Sequence, residues 1–136
     1  MIDKIFVDSS IWLYMFLEDN DGKRHVAEQY MAENADKPLV ISYQVINEVT
    51  NQLLRKNVDE AKVDEYIELL FKVCAIHNFS KSVISLASSF RKRYSFSFWD
   101  SIIVASAQSA GCNILATEDM QDGLQIENMI IRNIFK

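Results

Sequence analysis

Three times in succession a short β-branched or aromatic run gives way to two helical stretches, and this alternation narrows the folds open to the chain. The runs fall at residues 4–8, 39–42 and 73–77, and two more follow at 113–117 and 130–135. Between them, helical patterning covers 11–18, 24–35, 43–55, 57–72, 81–93 and 99–110; Val45, Ile46, Val49 and Leu53, for example, share one helix face. The order β-α-α-β-α-α-β-α-α-β-β predicts an α/β protein. The expected architecture is a three-layer α/β/α sandwich with a mostly parallel central sheet of four to five strands. One proline, Pro38, and three glycines interrupt the 136 residues, so 1–136 reads as a single domain without linker or repeat. Asp8-Ser9-Ser10 marks a strand turning into a capped helix, and Gly111 stops the stretch 99–110. That stretch carries Ile102, Ile103, Val104, Ala105 and Ala107 on nearly every side and is expected to be buried.

Composition removes several classes of function. Charged residues make up 24% and hydrophobic ones 49%, the balance of an ordinary soluble domain. The formal charge is −5, from 19 carboxylates against 14 Lys and Arg. Domains that hold nucleic acid by bulk positive charge are usually basic, so the balance argues against that mode but leaves room for a nuclease working through bound cations. The longest strongly apolar run, 11–17, falls short of the ~18–20 residues that span a bilayer, and the start shows no signal-peptide pattern, so no membrane association is expected. Cys74 and Cys112 stand apart, without a CxxC, and fit reduced thiols in a cytoplasmic protein. The sequence holds no GxGxxG, no GxxxxGK[ST] and no GxSxG, which disfavours the familiar nucleotide-binding enzymes and triad hydrolases.

Ligands of open parallel sheets bind beyond the carboxyl ends of the strands. Asp8 directly follows the first run, and Glu48 lies one and a half turns into the helix after the second, about 60° around the axis from Val45. Asp100 opens the apolar helix, and Glu118, Asp119 and Asp122 follow the run 113–117. Each has a plain structural role open to it. Asp8 suits a helix N-cap, Asp100 a favourable place in the helix dipole, Glu48 a solvated face, and Asp122-Gly123 an ordinary turn. Taken together, four segments deliver carboxylates to one sheet edge. Clustered carboxylates raise one another's pKa, and a hard divalent cation relieves the conflict. Mg²⁺ and Mn²⁺ prefer oxygen ligands and keep several waters, which suits phosphodiester hydrolysis.

The residues at these places carry a resemblance. Val7-Asp8-Ser9-Ser10-Ile11, the Glu48 of Ile46-Asn47-Glu48-Val49, the segment 99–107 beginning Trp99-Asp100-Ser101, and Leu115-Ala116-Thr117-Glu118-Asp119-Met120-Gln121-Asp122-Gly123 resemble, in order, the successive motifs of PIN-domain ribonucleases. The likeness covers essentially the whole chain and is greatest to the small VapC-type toxins of bacterial toxin–antitoxin pairs. It implies a PIN-like fold and a Mg²⁺-dependent endoribonuclease, with Mn²⁺ as an alternative ion. It also implies an RNA substrate, an antitoxin partner and a homodimer. By motif position Asp8 and Asp100 are the core metal ligands, and Glu48 completes the acidic pocket. Asp119 is the fourth acid, with Asp122 competing for that place and Glu118 a weaker third. Thr117 and Ser9 or Ser10 supply hydroxyls to the cluster. The alternatives are a housekeeping RNA-processing nuclease of the same family and a non-catalytic RNA- or protein-binding module. An aspartyl-phosphate enzyme fits less well, because no Lys ends the run 113–117 and Asp8 begins no DxD pair.

Other features read more plainly. Lys23-Arg24, Arg55-Lys56 and Arg91-Lys92-Arg93 could clamp an RNA backbone, but solvated helix ends explain them as well. The aromatics, Phe96, Phe98 and Trp99 among them, point to core packing or a subunit interface ahead of base stacking. Trp12, Tyr14, Met15 and Phe16 are candidates for the homodimer contact, and 19–22 and 95–98 for specificity loops. Asp8, Glu48, Asp100 and Asp119 nearly equal the acidic excess, so the net charge itself reads as the trace of a cation site.

Overall fold

The structure is a computed structural model that describes residues 2–136. In chain order the elements are β1 (Ile5–Val7), α1 (Ser9–Phe16), α2 (Asp21–Glu33), β2 (Leu39–Ser42), α3 (Tyr43–Arg55), α4 (Glu60–Val73) and β3 (Ala75–His77). They continue with α5 (Lys81–Tyr94), α6 (Phe98–Ser109), β4 (Ile114–Ala116), β5 (Gln125–Ile126) and β6 (Met129–Arg132). The strand order is β3-β2-β1-β4-β6-β5, parallel throughout except where β5 runs antiparallel to β6.

The local chemistry explains the segmentation. Ile5, Phe6 and Val7 are wholly buried, as a central parallel strand covered on both faces requires. Side-chain oxygens of Asp8, Asn20, Ser42, Ser80 and Ser97 accept backbone N–H bonds at the starts of α1, α2, α3, α5 and α6. Gly111, at φ 79°, takes the left-handed position just past α6 that a Cβ would strain. α1 packs on α2 and α3, α3 on α4, and α5 on α6, which gives the layers either side of the sheet. From Ser101 to Ala107 every residue of α6 is buried, as its all-round apolar pattern predicts.

The sheet has six strands among the described residues, one more than the upper expectation. The extra strand, β5, is only two residues long and reverses into β6 through Glu127, at φ 52°, too short for an alternation signal. β6 also ends before the expected 135. Asn133 turns the chain there, donating its N–H to Asp122 Oδ1 at 2.8 Å and accepting from Phe135 N at 3.0 Å. Among the described residues no helix is long and apolar enough to cross a membrane.

One feature of the topology places the site. The chain leaves β1 toward β2 and β3 on one side and returns on the other at β4, so β1 and β4 form the switch point where parallel sheets bind ligands. Val7 pairs with Ala116, which sets the next residues, Asp8 and Thr117, side by side at the carboxyl edge.

Candidate active site

Asp8 leaves β1 as the N-cap of α1. Its Oδ1 accepts from Ser9 N at 2.7 Å and its Oδ2 from the Thr117 hydroxyl at 2.8 Å. The capping role and the place in an acidic cluster therefore belong to the same carboxylate. Only 5% of Asp8 is exposed. Burial pushes its carboxyl up to about 6 from an ordinary 3.8; the Ser9 N–H and Thr117 hydroxyl draw it down, and the charges of Glu48 and Asp119 push it up again.

Three further elements bring the other acids to the same cavity. Ser42, the last residue of β2, caps α3 and fixes where Glu48 falls on that helix. Glu48 Oε2 then accepts from the Ser9 hydroxyl at 3.0 Å. Asp100 stands in the first turn of α6, its N–H donated to the Ser97 hydroxyl at 3.1 Å. Asp119 follows β4, and its N–H donates to Thr117 Oγ1 at 3.3 Å. Burial raises the Asp119 carboxyl, Glu118 and Asp100 raise it further, and Lys23 lowers it. Asp8, Glu48, Asp100 and Asp119 all line one cavity of about 630 Å³, inside the ~300–1,000 Å³ range of ligand pockets.

The remaining sequence candidates separate cleanly. Asp122 accepts from Asn133 N and does not line the cavity. The Glu118 carboxylate turns away to a cluster with Lys23 Nζ and the Tyr14 hydroxyl, the latter donating at 2.6 Å. Lys23 also lies over the Tyr14 and Phe135 rings, 5.0 and 5.6 Å from their centroids. Of the two serines, Ser9 reaches an acid. The buried Ser10 hydroxyl finds no partner among the described residues and faces a second cavity beside Glu48 and Asp119.

Trp12 and Phe16, candidates for a dimer contact, are buried within the chain instead, and Phe16 stacks on Tyr66 at 4.1 Å. Most of the basic residues weighed as an RNA clamp are in ion pairs: Lys23 with Glu118, Arg24 with Glu18 and Glu28, Lys56 with Asp19, and Arg93 with Glu127.

The sequence reading missed the polar lining of the cavity. Gln44, Asn47 and Asn51 join Glu48 there from α3. Their spacing, i, i+3, i+4 and i+7, is a polar stripe beside the apolar one and was open to the same periodicity argument. Phe79 and Trp99 complete the rim.

Among the described residues no three acidic, histidine or cysteine side chains converge closely enough to close around one ion. The donor set is nevertheless all oxygen, and Asp8 is a buried carboxylate pressed by two like charges without a basic group beside it. A hard cation held by one or two carboxylates and otherwise by water fits that arrangement, whereas a closed cage does not.

A parallel sheet with a carboxylate cluster at its switch point is the class of protein this geometry defines, and the sequence matches the PIN domain family over residues 5–121. The chain belongs to the PIN-domain family. Its structural neighbours include VapC toxins of VapBC toxin–antitoxin systems. A sarcin–ricin-loop-cleaving VapC toxin of Mycobacterium tuberculosis is 20% identical, with a TM-score of 0.67 over 82% of this chain and 86% of that one. A toxin–antitoxin complex from Klebsiella pneumoniae is also 20% identical, with a TM-score of 0.72 over 96% and 97%. The DNA-bound VapBC of Salmonella typhimurium is 12% identical, with a TM-score of 0.71 over 98% and 99%. No curated relative matches the sequence.

Proposed function

We propose that the chain is a divalent-metal-dependent endoribonuclease and the toxin of a type II toxin–antitoxin pair, with Mg²⁺ as the ion and Mn²⁺ as its substitute. The observation that carries the reading is Asp8: a buried carboxylate at the sheet switch point, raised to about 6, with Glu48 and Asp119 acting on it in one cavity. A bound Mg²⁺ supplies Lewis-acid stabilisation of the phosphate and a water more readily deprotonated than bulk water.

The residues divide the rest of the work. Asp8 and Asp100 hold the ion, and Asp119 adds its charge from the loop after β4. Glu48, fixed by Ser9, orients the attacking water and accepts its proton. Thr117 holds Asp8 and the Asp119 backbone in mutual register. The water oxygen bonds to phosphorus as the P–O3′ bond breaks, the departing 3′-oxygen takes a proton from solvent water, and Glu48 returns its own proton to solvent. The products carry a 5′-phosphate and a 3′-hydroxyl, without use of the 2′-hydroxyl. Cleavage of a mixed single-stranded RNA pool in Mg²⁺, abolished by chelator and leaving those ends, is the expected result. Cleavage in excess chelator, or 2′,3′-cyclic phosphate ends, contradicts the reading.

The toxin assignment draws its support from likeness to toxins over nearly their whole length. It carries with it a protein antitoxin, a homodimer and a cytoplasmic setting. The buried free thiols of Cys74 and Cys112, each pushed up to about 12 by burial, suit a reducing compartment. Growth arrest on expression, relieved by the product of an adjacent short reading frame, is expected. Growth unaffected by expression favours the housekeeping RNA-processing alternative.

A further inference from the structure

Trp99 is 69% exposed, more than any other aromatic side chain among the described residues, and it sits on the rim of the acidic cavity. Its exposure contrasts with its own helix, buried without a break from Ser101 to Ala107. The N-terminal turn that carries it is nevertheless rigidly held. Ser97 caps Asp100 N, the Ser101 hydroxyl donates to Phe98 O at 2.6 Å, and Gln44 Nε2 donates to Trp99 O at 3.2 Å. Gln44 is only 8% exposed, and its Oε1 has no partner among the described residues. Phe98 meets Trp99 edge-on, with centroids 6.1 Å apart and planes at 63°, and Phe79, 43% exposed, faces the cavity from the loop before α5.

The chemistry of the lining narrows what fits. No Lys or Arg lines this cavity, so it does not grip phosphates through side-chain cations. With the acids committed to a cation, the groups left for recognition are two aromatic side chains and the amides of α3. Aromatic faces stack on unpaired bases, and carboxamides pair with base edges.

Resting on the nuclease reading above, we propose that Trp99 and Phe79 form a stacking subsite for an unpaired nucleobase next to the scissile phosphate. Asn47 and Asn51 read the edge of that base, and Gln44 is a positioning residue that holds the turn bearing Trp99. The subsite requires single-stranded RNA, since a paired base offers its faces only to its neighbours in the stack.

Trp12 is 2% exposed, so quenching of intrinsic fluorescence by a ligand reports on Trp99. The test uses the Asp8→Asn chain in Mg²⁺, to keep RNA intact, with three probes: a single-stranded oligoribonucleotide, an abasic oligomer of equal length, and a blunt RNA duplex. Quenching by the single strand alone is expected. By anisotropy of labelled RNA, Trp99→Ala in that chain should bind ~5–150-fold more weakly, and Trp99→Phe should keep most of the affinity. Equal quenching by the abasic oligomer overturns the subsite. So does unchanged affinity in Trp99→Ala, or a loss of self-association in that variant with RNA affinity intact. Cleavage by the wild-type chain is assayed separately: cleavage without stacking removes the subsite alone, and stacking without cleavage removes the nuclease reading.

Discussion

The Thr117 hydroxyl donates to Asp8 Oδ2 at 2.8 Å across the seam between β4 and β1, joining residues 109 apart in sequence. Thr117 Oγ1 in turn accepts from Asp119 N at 3.3 Å. Thr117 thus fixes one acid through its proton and another through its lone pair, from a fully buried position. Thr117→Val keeps the shape and removes both bonds. Loss of the donor should raise the Asp8 carboxyl further, cost about 1–3 kcal/mol of stability through an unsatisfied buried oxygen, and weaken metal affinity or activity about 10–100-fold. Denaturant melts and Mg²⁺-dependent cleavage rates check both.

Asp8 makes the metal-free protein sensitive to pH. Its carboxyl titrates near 6 when folded and near the ordinary 3.8 when unfolded. Between those values the folded chain keeps a proton that the unfolded chain gives up, so stability falls as pH rises through the interval and levels off above it. At ~1.4 kcal/mol per pH unit the full effect is about 3 kcal/mol. Asp8→Asn removes the titration, so in chelator its stability should gain on the wild type by about 2–3 kcal/mol between pH 4 and pH 7. Added Mg²⁺ should narrow the gap at pH 7 by stabilising the wild type alone. Urea melts at four pH values check the trend.

Asp119 and Asp122 are distinguished by substitution. Asp119→Asn should slow cleavage and weaken Mg²⁺ binding, because Asp119 lines the cavity with Asp8 and Asp100. Asp122→Ala should leave cleavage unchanged and cost about 0.5–1.5 kcal/mol of stability, the value of its bond to Asn133 N. Reversed effects would transfer the fourth acidic place to Asp122.

Lys23 acts on the site through charge. It pairs with Glu118, lowers the Asp119 carboxyl and thereby offsets Glu118, which raises it. Lys23→Met should push Asp119 further up and move the acidic limb of the cleavage pH profile to higher pH. An unshifted profile in that variant would separate the Lys23 cluster from the site.

Much of this was legible in the sequence because it is local. The strand-then-acid pattern at Asp8, the place of Asp100 at the start of the apolar helix and the helical offset of Glu48 from Val45 all follow from residues a few positions apart. The illegible features are long-range or too short. β5 has two residues, and the Lys23–Glu118 pair spans 95 positions. The choice of Ser9 over Ser10 is a contact with Glu48, 39 positions away in sequence. On α4, Glu68 and Lys72 have the i,i+4 spacing that favours an ion pair, but among the described residues the pair that forms on this helix is Lys62–Glu65; both are exposed i,i+3 or i,i+4 contacts of similar small worth. The aromatic composition pointed toward the core, and Trp12 and Phe16 obey it. Trp99 does not, and its departure marks the rim of the site.

The central claim is that Asp8 and its neighbours form one cation site. Calorimetric titration of Mn²⁺ into the wild type, Asp8→Asn and Asp122→Ala tests it most directly. The account predicts equal binding by the wild type and Asp122→Ala, and affinity at least about tenfold lower in Asp8→Asn. Binding of equal strength by all three proteins would contradict it.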